Sequence, residues 1–411
     1  MRRATLLLGS VLLVAAAGWY ALVYSPPRWT GDMQTAADAN NRFALDLYAQ
    51  LRGEPGNLFL SPYGAHAALA MTATGARGAT RDQLAAALHL PPDGPAALAA
   101  GDLGRYYARP RRDVELSVAN ALWGQAGLPW RPEFRAALAD RSGAGFREAD
   151  FAADPDAERE RINRWAEEAT RGRVKELLRD GAVTGSHRLV LANAVYFKGA
   201  WQKPFDPNRT VLDGFTLPDG TTTLVPMMRR ASGFRWHVEE GPADHRDPGF
   251  QLAELPYEGG ELSMVVLLPG QHDGLPALEA RLSADALAGW LAAARDAGDA
   301  DLYLPRFRLE PDALMLTEQL RQLGVVAAFD PAAADFGGLH AGGGRLFVGC
   351  VVQKAFVDVS EEGTEAAAVT AVAVEPLSAA PPDFRADRPF LFLIRDARRG
   401  TILFMGRVQK P

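Results

Sequence analysis

The sequence predicts one large α+β domain with more than one sheet, and three observations carry that reading. Apolar residues at helical spacing dominate the first hundred positions. The segment "HRLVLANAVYFKGAW" is β-branched, aromatic and continuously apolar, as a strand buried on both faces must be. Between Leu217 and Gly274, turn signals ("LPDGTT", "EEGPADHRDPG", "EGGE", "PGQHDG") recur at short spacing and separate the apolar runs "FRWHVEE", "FQLAELPY" and "LSMVVLLPG", the mark of antiparallel sheet.

Taken in order, "AADANNRFALDLYAQLRG" predicts a helix with Phe43, Leu45, Leu47 and Leu51 inward and Asn40 or Asn41 as its cap. "SPYGAHAALAMTATGA" predicts a second, mostly buried helix, with Ser61 as N-cap and Pro62 at the first helical position. "ATRDQLAAALHL" is a third, ended by Pro91 and Pro92, and the basic run "RYYARPRRD" reads as an exposed loop. "VELSVANALWGQ" has strand character, whereas "RPEFRAALADR" and "DAERERINRWAEEATRGRVKELL" are helical. Beyond the middle sheet come the helical "LEARLSADALAGWLAAARDA", the strand "DLYLPRFRLE", a helix at "LMLTEQLRQLG" and the strand "RLFVGCVVQKAFVDVSEE". A strand pair around "DARRG" closes the chain. No internal repeat and no linker divides the sequence after Trp29.

Composition narrows the function. The chain of 411 residues is 48% hydrophobic and 23% charged, ordinary for a folded protein able to bury a large core. A net charge of −6 argues against a dedicated nucleic-acid binder. Cys350 is the single cysteine, so no disulfide forms within the chain; its apolar surroundings make it a small core residue.

The first 28 residues stand apart as a leader with a short linker, and the domain runs from 29 to 411. Arg2 and Arg3 precede "ATLLLGSVLLVAAAGWYALVY", which has two readings. One is a signal peptide cleaved after Ala15-x-Ala17. The other is an anchor over residues 4–24, long enough to span a bilayer, with Trp19, Tyr20 and Tyr24 at the outer interface. The bare end "GWYALVY" that cleavage would leave favours the anchor. Both readings export the domain to an extracellular or periplasmic space, secreted or tethered.

Catalytic motifs are missing. There is no G-x-S-x-G elbow, H-E-x-x-H helix or G-x-x-x-x-G-K-[ST] phosphate loop, so the expectation is no enzyme, no catalytic residue, no metal and no cofactor. The histidines are scattered; His66, in the buried helix, reads as a satisfied core residue. Arg109, Arg111 and Arg112 could meet a polyanion, but such a run more often is a solvated turn.

The unusual stretch is "EEGTEAAAVTAVAVEPLSAAP" from Glu361. With a two-residue period, one face carries Thr364, Ala366, Ala368, Thr370, Val372 and Val374. The other carries Glu365, Ala367, Val369, Ala371, Ala373 and Glu375. Both carboxylates fall on one face and everything opposite is small or β-branched; a strand inserting into a sheet wants that arrangement, while an Ala-rich exposed helix or a linker is the alternative reading.

Four blocks, "NLFLSPYGAHAALAMTATGARGAT", "LVLANAVYFKGAWQKPFD", "QKAFVDVSEEGTEAAAVTA" and "FRADRPFLFLIRDARRGTILFMGRV", resemble hallmark segments of the serpins in family order, over about residues 40–411. The resemblance implies three β-sheets, eight or nine helices and an exposed reactive-centre loop at about 363–385. It implies a suicide inhibitor of serine proteases: the protease cleaves the loop, whose amino-terminal part then inserts into the central sheet and carries the acylated protease with it. By family spacing the scissile bond is Leu377–Ser378, with Val374, Glu375 and Pro376 as protease contacts and Glu361, Glu362, Gly363, Thr364, Glu365, Ala366, Ala367 and Ala368 as the hinge.

Leu377 suits a chymotrypsin-like apolar pocket; cleavage at Val374 or Ala373 would suit an elastase-like one. Ser61, Asn193 and Gln353 match the polar cluster beneath the sheet, Trp201 a tryptophan where the loop enters, and Glu361 with Arg306 a charge pair there. That pair would be worth 0 to ~1 kcal/mol if exposed. Two departures stand out: Gly64 replaces a family serine and Gln353 the usual histidine, which puts any pH response of the cluster in doubt. The expected partner is a serine protease with an apolar specificity pocket, met by a monomer that binds no nucleic acid. The alternative is a non-inhibitory serpin serving as a binding, carrier or chaperone protein.

Overall fold

A computed structural model of the chain describes residues 28–91, 95–111, 114–136, 145–241, 249–342, 346–364 and 383–411. Three sheets organise them. The central sheet runs β12 (Phe307–Leu309), β14 (Cys350–Val359), β15 (Gly363–Thr364), β4 (Leu189–Ala200), β2 (Val114–Gln125), β3 (Gly145–Ala149), with β13 (Leu314–Met315) also on β14. A second sheet orders β1 (Leu58–Leu60), β18 (Ile402–Val408), β17 (Phe390–Asp396), β9 (Leu262–Pro269), β8 (Phe250–Pro256), β7 (Arg235–Glu239) and β10 (Arg295–Asp296). The third is β16 (Asp383–Arg385), β11 (Asp301–Pro305), β6 (Thr222–Ala231) and β5 (Val211–Thr216).

Eight α-helices are described over their whole length: α1 (Gly31–Leu51), α2 (Pro62–Ala73), α3 (Gly78–Ala87), α4 (Pro95–Tyr107), α5 (Pro155–Ala169), α6 (Leu275–Arg281), α7 (Ala284–Ala293) and α8 (Thr317–Gln322); residues 132–136 are helical as well. Helix α2 is buried from Pro62 to Thr72, against β2 and β4 on one side and β18 on the other. A helix apolar all round must be enclosed, and its alanines and Gly64 let two sheets approach it closely. Ser61 caps it as expected, accepting from the Gly64 N–H at 3.1 Å. Helix α5 covers the opposite face of the central sheet, with Ile162 and Ala166 in a core shared with Ala192, Ala194, Val190, Val352 and Cys350. Burial pushes the Cys350 thiol up to about 12, which removes it as a nucleophile at neutral pH.

Several boundaries differ from expectation. Helix α1 starts nine residues before Asn40, capped by Thr30. Asn40 and Asn41 are mid-helix and bind β18 instead: Asn40 Nδ2 donates to the Ile402 carbonyl at 2.9 Å, and Asn41 Oδ1 accepts the Ile402 N–H at 2.8 Å. Helix α5 stops at Ala169 because Arg171 and Gly172 take positive φ; Val174, Leu177 and Leu178 still reach the core without helical backbone. Ser283 caps α7 and splits the long helical run in two, and Leu314–Met315 pairs with Val352 and Gln353 rather than starting α8. The basic loop is not a solvated turn. Arg109 Nη2 and Arg111 Nε lie 2.5 and 3.2 Å from Glu261 with side chains only 14% and 10% exposed.

At the carboxy terminus Arg407 is a buried cation on β18. Its Nε and Nη1 donate to the carbonyls of Gly56 and Arg52 at 2.9 and 2.5 Å, and its Nη2 to that of Glu54. Glu279, which accepts from the Tyr48 hydroxyl at 2.6 Å, stands 3.5 Å from it. Complete pairing of this kind is what allows a charge to be buried.

Candidate functional site: the gap between β4 and β14

Strands β4 and β14 pair directly and in parallel from Cys350 opposite Val190 to Phe356 opposite Tyr196. One turn higher they part, and β15 fills the space: Thr364 lies opposite Val359 on one side and Gly199 on the other, and Gly363 opposite Ala200. The loop has therefore entered the sheet by two residues. A Cβ on Gly363 would sit 2.1 Å from the Gly199 carbonyl oxygen, so only glycine fits. Thr364 is buried, its hydroxyl 2.8 Å from that of Tyr257.

The mouth of the gap is tightly held. Trp201 donates its backbone N–H to the Glu362 carbonyl and its indole N–H to the Ser360 carbonyl, both at 2.9 Å, and stacks on Tyr257 at 4.7 Å and 8°. Arg306 Nε stands 2.8 Å from both oxygens of Glu361, and its Nη2 2.6 Å from one of them. The Thr210 hydroxyl donates to the same carboxylate. With side chains 4% and 16% exposed, Glu361 and Arg306 form a buried pair, not the rim pair weighed from sequence. Removing one partner of such a pair strands the other charge. Glu362 points to solvent.

Below the mouth, the structure brings Ser61, Asn193 and Gln353 together. Gln353 Nε2 donates to Asn193 Oδ1 at 2.6 Å and to the Ser61 carbonyl at 2.7 Å, while its Oε1 accepts the Ser61 N–H at 2.9 Å. The Ser61 hydroxyl donates to the Leu403 carbonyl at 2.8 Å, tying β18 to the cluster. Asn193 Nδ2 in turn donates to Asn120 Oδ1 at 2.6 Å. Gly64 is accounted for locally: a Cβ there would lie 2.5 Å from Asn193 Oδ1. None of Ser61, Asn120, Asn193 and Gln353 titrates near neutral pH. His66, one turn along α2, is held low, at about 4, by burial, and its Nε2 is 3.1 Å from the Leu88 carbonyl oxygen.

Sequence reading missed Asn120, Thr210 and Tyr257. Each acts through register or loop packing; only the alternation of "VELSVANALWGQ" against "LVLANAVYFKGA" could have set Asn120 opposite Asn193. Glu365, Ala366, Ala367, Ala368, Val374, Glu375, Pro376, Leu377 and Ser378 lie outside the described residues, as does the leader.

Known proteins share this fold. Residues 38–411 match the family model described as serpin (serine protease inhibitor). Leukocyte elastase inhibitor from Bos taurus is 38% identical over 92% of this chain and all of its own length, and the protein of that name from Homo sapiens 36% identical over the same shares. Among solved structures, native protease nexin-1 with heparin superposes with a TM-score of 0.82 at 30% identity, covering 92% of this chain and all of that one. Thyroxine-binding globulin complexed with thyroxine gives 0.81 at 27% identity, over 91% and 99%. Family, fold and the hinge lodged in the central sheet agree: the chain belongs to the serpins, a family of protease inhibitors rather than catalysts.

Proposed function

We propose that this serpin is a suicide-substrate inhibitor of serine endopeptidases with hydrophobic primary specificity, chymotrypsin-like or elastase-like. The protease serine attacks the Leu377 carbonyl, the bond to the Ser378 nitrogen breaks, the protease histidine supplies the proton to the new amine, and the loop stays esterified to the enzyme. Insertion of the freed strand between β4 and β14 then carries the acyl-enzyme away before water can resolve it.

The observation that supports this reading is the register of β15. Thr364 pairs with Val359 and Gly199, and Gln353 already faces Asn193. Continued downward without a slip, the same antiparallel register would bring Thr370 between Gln353 and Asn193, on the core face with Thr364, and would bring Glu365 and Glu375 to the other face. Every residue on the core-directed set is small or β-branched. No bulk or charge opposes insertion.

We also infer that the domain is exported and tethered by residues 4–24. The test of the inhibitory reading mixes the protein with chymotrypsin, elastase and trypsin, followed by denaturing gels and sequencing of the released carboxy-terminal fragment. A denaturant-resistant complex with chymotrypsin or elastase, none with trypsin, and a fragment beginning at Ser378 are expected. Clean cleavage with no adduct would overturn inhibition and favour the binding-protein reading.

A further inference from the structure

The folded domain begins at a corner with an unusual composition. Trp29 packs edge-on against Tyr106 at 5.0 Å, Arg399 lies over its indole at 5.1 Å, and its Nε1 donates to Gln34 at 3.2 Å. Arg28, Arg398 and Arg399 are exposed around it. Asp38 accepts from Gln34 at 2.9 Å, and Glu261 is held by Arg109 and Arg111, with Arg398 3.6 Å away; exposed Asp32, in the first turn of α1, sets one carboxylate against the three arginines.

This corner is on the hinge half of the molecule. Arg109 lies over the Tyr106 ring at 3.9 Å. Arg109 and Arg111 line one wall of a cavity of about 830 Å³ whose far wall is Glu362, Gly363 and Thr364. Two ring contacts and the width of one cavity therefore separate Trp29 from the point where the loop leaves the sheet.

The chain outside the structure has a short reach. Only Ser25, Pro26, Pro27 and Arg28 lie between Tyr24 and Trp29. Four residues reach at most about 14 Å even when fully extended. A leash this short cannot let the domain turn its other pole to the membrane.

We propose that the corner formed by Arg28, Trp29, Tyr106, Arg398 and Arg399 rests on the headgroups of an anionic membrane, and that this contact holds the reactive loop on the bilayer-facing half of the domain. The inference rests on the reading of residues 4–24 as a retained anchor. Arginines within a Debye length of an anionic surface are attracted to it, and an indole at a chain exit is suited to the interface. The inhibitor would then meet proteases at the membrane surface rather than in bulk solution.

The experiment reconstitutes the full chain in phosphatidylglycerol vesicles with an energy acceptor on the headgroups and a donor on one introduced thiol. The buried Cys350 does not compete for the label. Lys198→Cys sits near one end of β4 and Ser186→Cys in the turn before the other; both positions are exposed, and the strand from Leu189 to Lys198 spans about 30 Å at ~3.3 Å per residue. Transfer several-fold greater from position 198 than from 186 is expected, with the difference shrinking when Arg398 and Arg399 are both changed to Glu. Equal or reversed transfer in a vesicle-bound chain would overturn the orientation alone. A membrane-expressed chain whose sequenced amino terminus lies just after Ala17 would overturn the anchor, and the proposal with it.

Discussion

The two polar clusters along the β4–β14 seam solve different problems. At the mouth, Glu361, Arg306 and Thr210 form a charged lock around one buried carboxylate. In the middle, Ser61, Asn193, Gln353 and Asn120 form a chain of neutral hydrogen bonds. A buried ion pair is costly to break and fixes one geometry. An amide network exchanges one partner for another of similar kind at small net cost, about 1 kcal/mol per bond. The seam is pinned at its mouth and exchangeable in the middle, where the proposed insertion would bring a strand past.

Breaking the lock should have the largest effect. Glu361→Ala leaves Arg306 buried beside Thr210 and is expected to cost about 4 kcal/mol, read as a lower denaturation midpoint. Asp358→Ala, half-buried near the end of β14, should cost far less; equal losses would mean that Glu361 is not a lock.

Next comes acid. Burial lowers His66 from the usual 6.5 to about 4, so between those values the unfolded chain takes up a proton that the folded chain refuses. Stability falls as pH drops through that window and levels off below it, a loss of about 3 kcal/mol that His66→Gln should abolish. Denaturant titrations at pH 7, 5 and 4 measure it.

Gln353→Leu removes the partner of Asn193 Oδ1 and of both Ser61 backbone groups, at about 2 kcal/mol. Gln353→His sharpens the comparison differently. The natural cluster should trap protease at a rate independent of pH between 6 and 8 once the protease's own titration is subtracted, whereas the histidine variant should acquire a pH dependence. A pH-dependent natural protein would refute the neutral-network account. The smallest effect concerns Gly64→Ser, which crowds Asn193 and should cost ~1 kcal/mol; in an Asn193→Ala background the same change should cost nothing further.

How much of this could be read beforehand depends on what each residue's role requires. Ser61, Asn193, Trp201 and Gln353 were reachable through the four family blocks, Arg306 through the wider resemblance, and the face-by-face segregation after Gly363 through strand periodicity alone. Depth was not legible: nothing in the letters around Glu361 says that its carboxylate is shielded from water. Register was not legible either, so Asn120 passed as an ordinary strand residue. Helix α1 was begun too late because Asn40 and Asn41 look like caps, while their side chains serve β18, more than three hundred and fifty positions away.

Arg407 would give cleavage at the proposed Leu377–Ser378 bond a further meaning. Everything after that bond includes β16, β17 and β18, and β18 is fastened through one guanidinium to three carbonyls of the segment after α1. Once cut, the inhibitor is a dimer of unequal chains that were made as one. Its reassembly after unfolding becomes a bimolecular event, governed by dilution. A single proteolytic event thus removes the covalent memory needed to refold, and the spent molecule cannot be recycled by unfolding it.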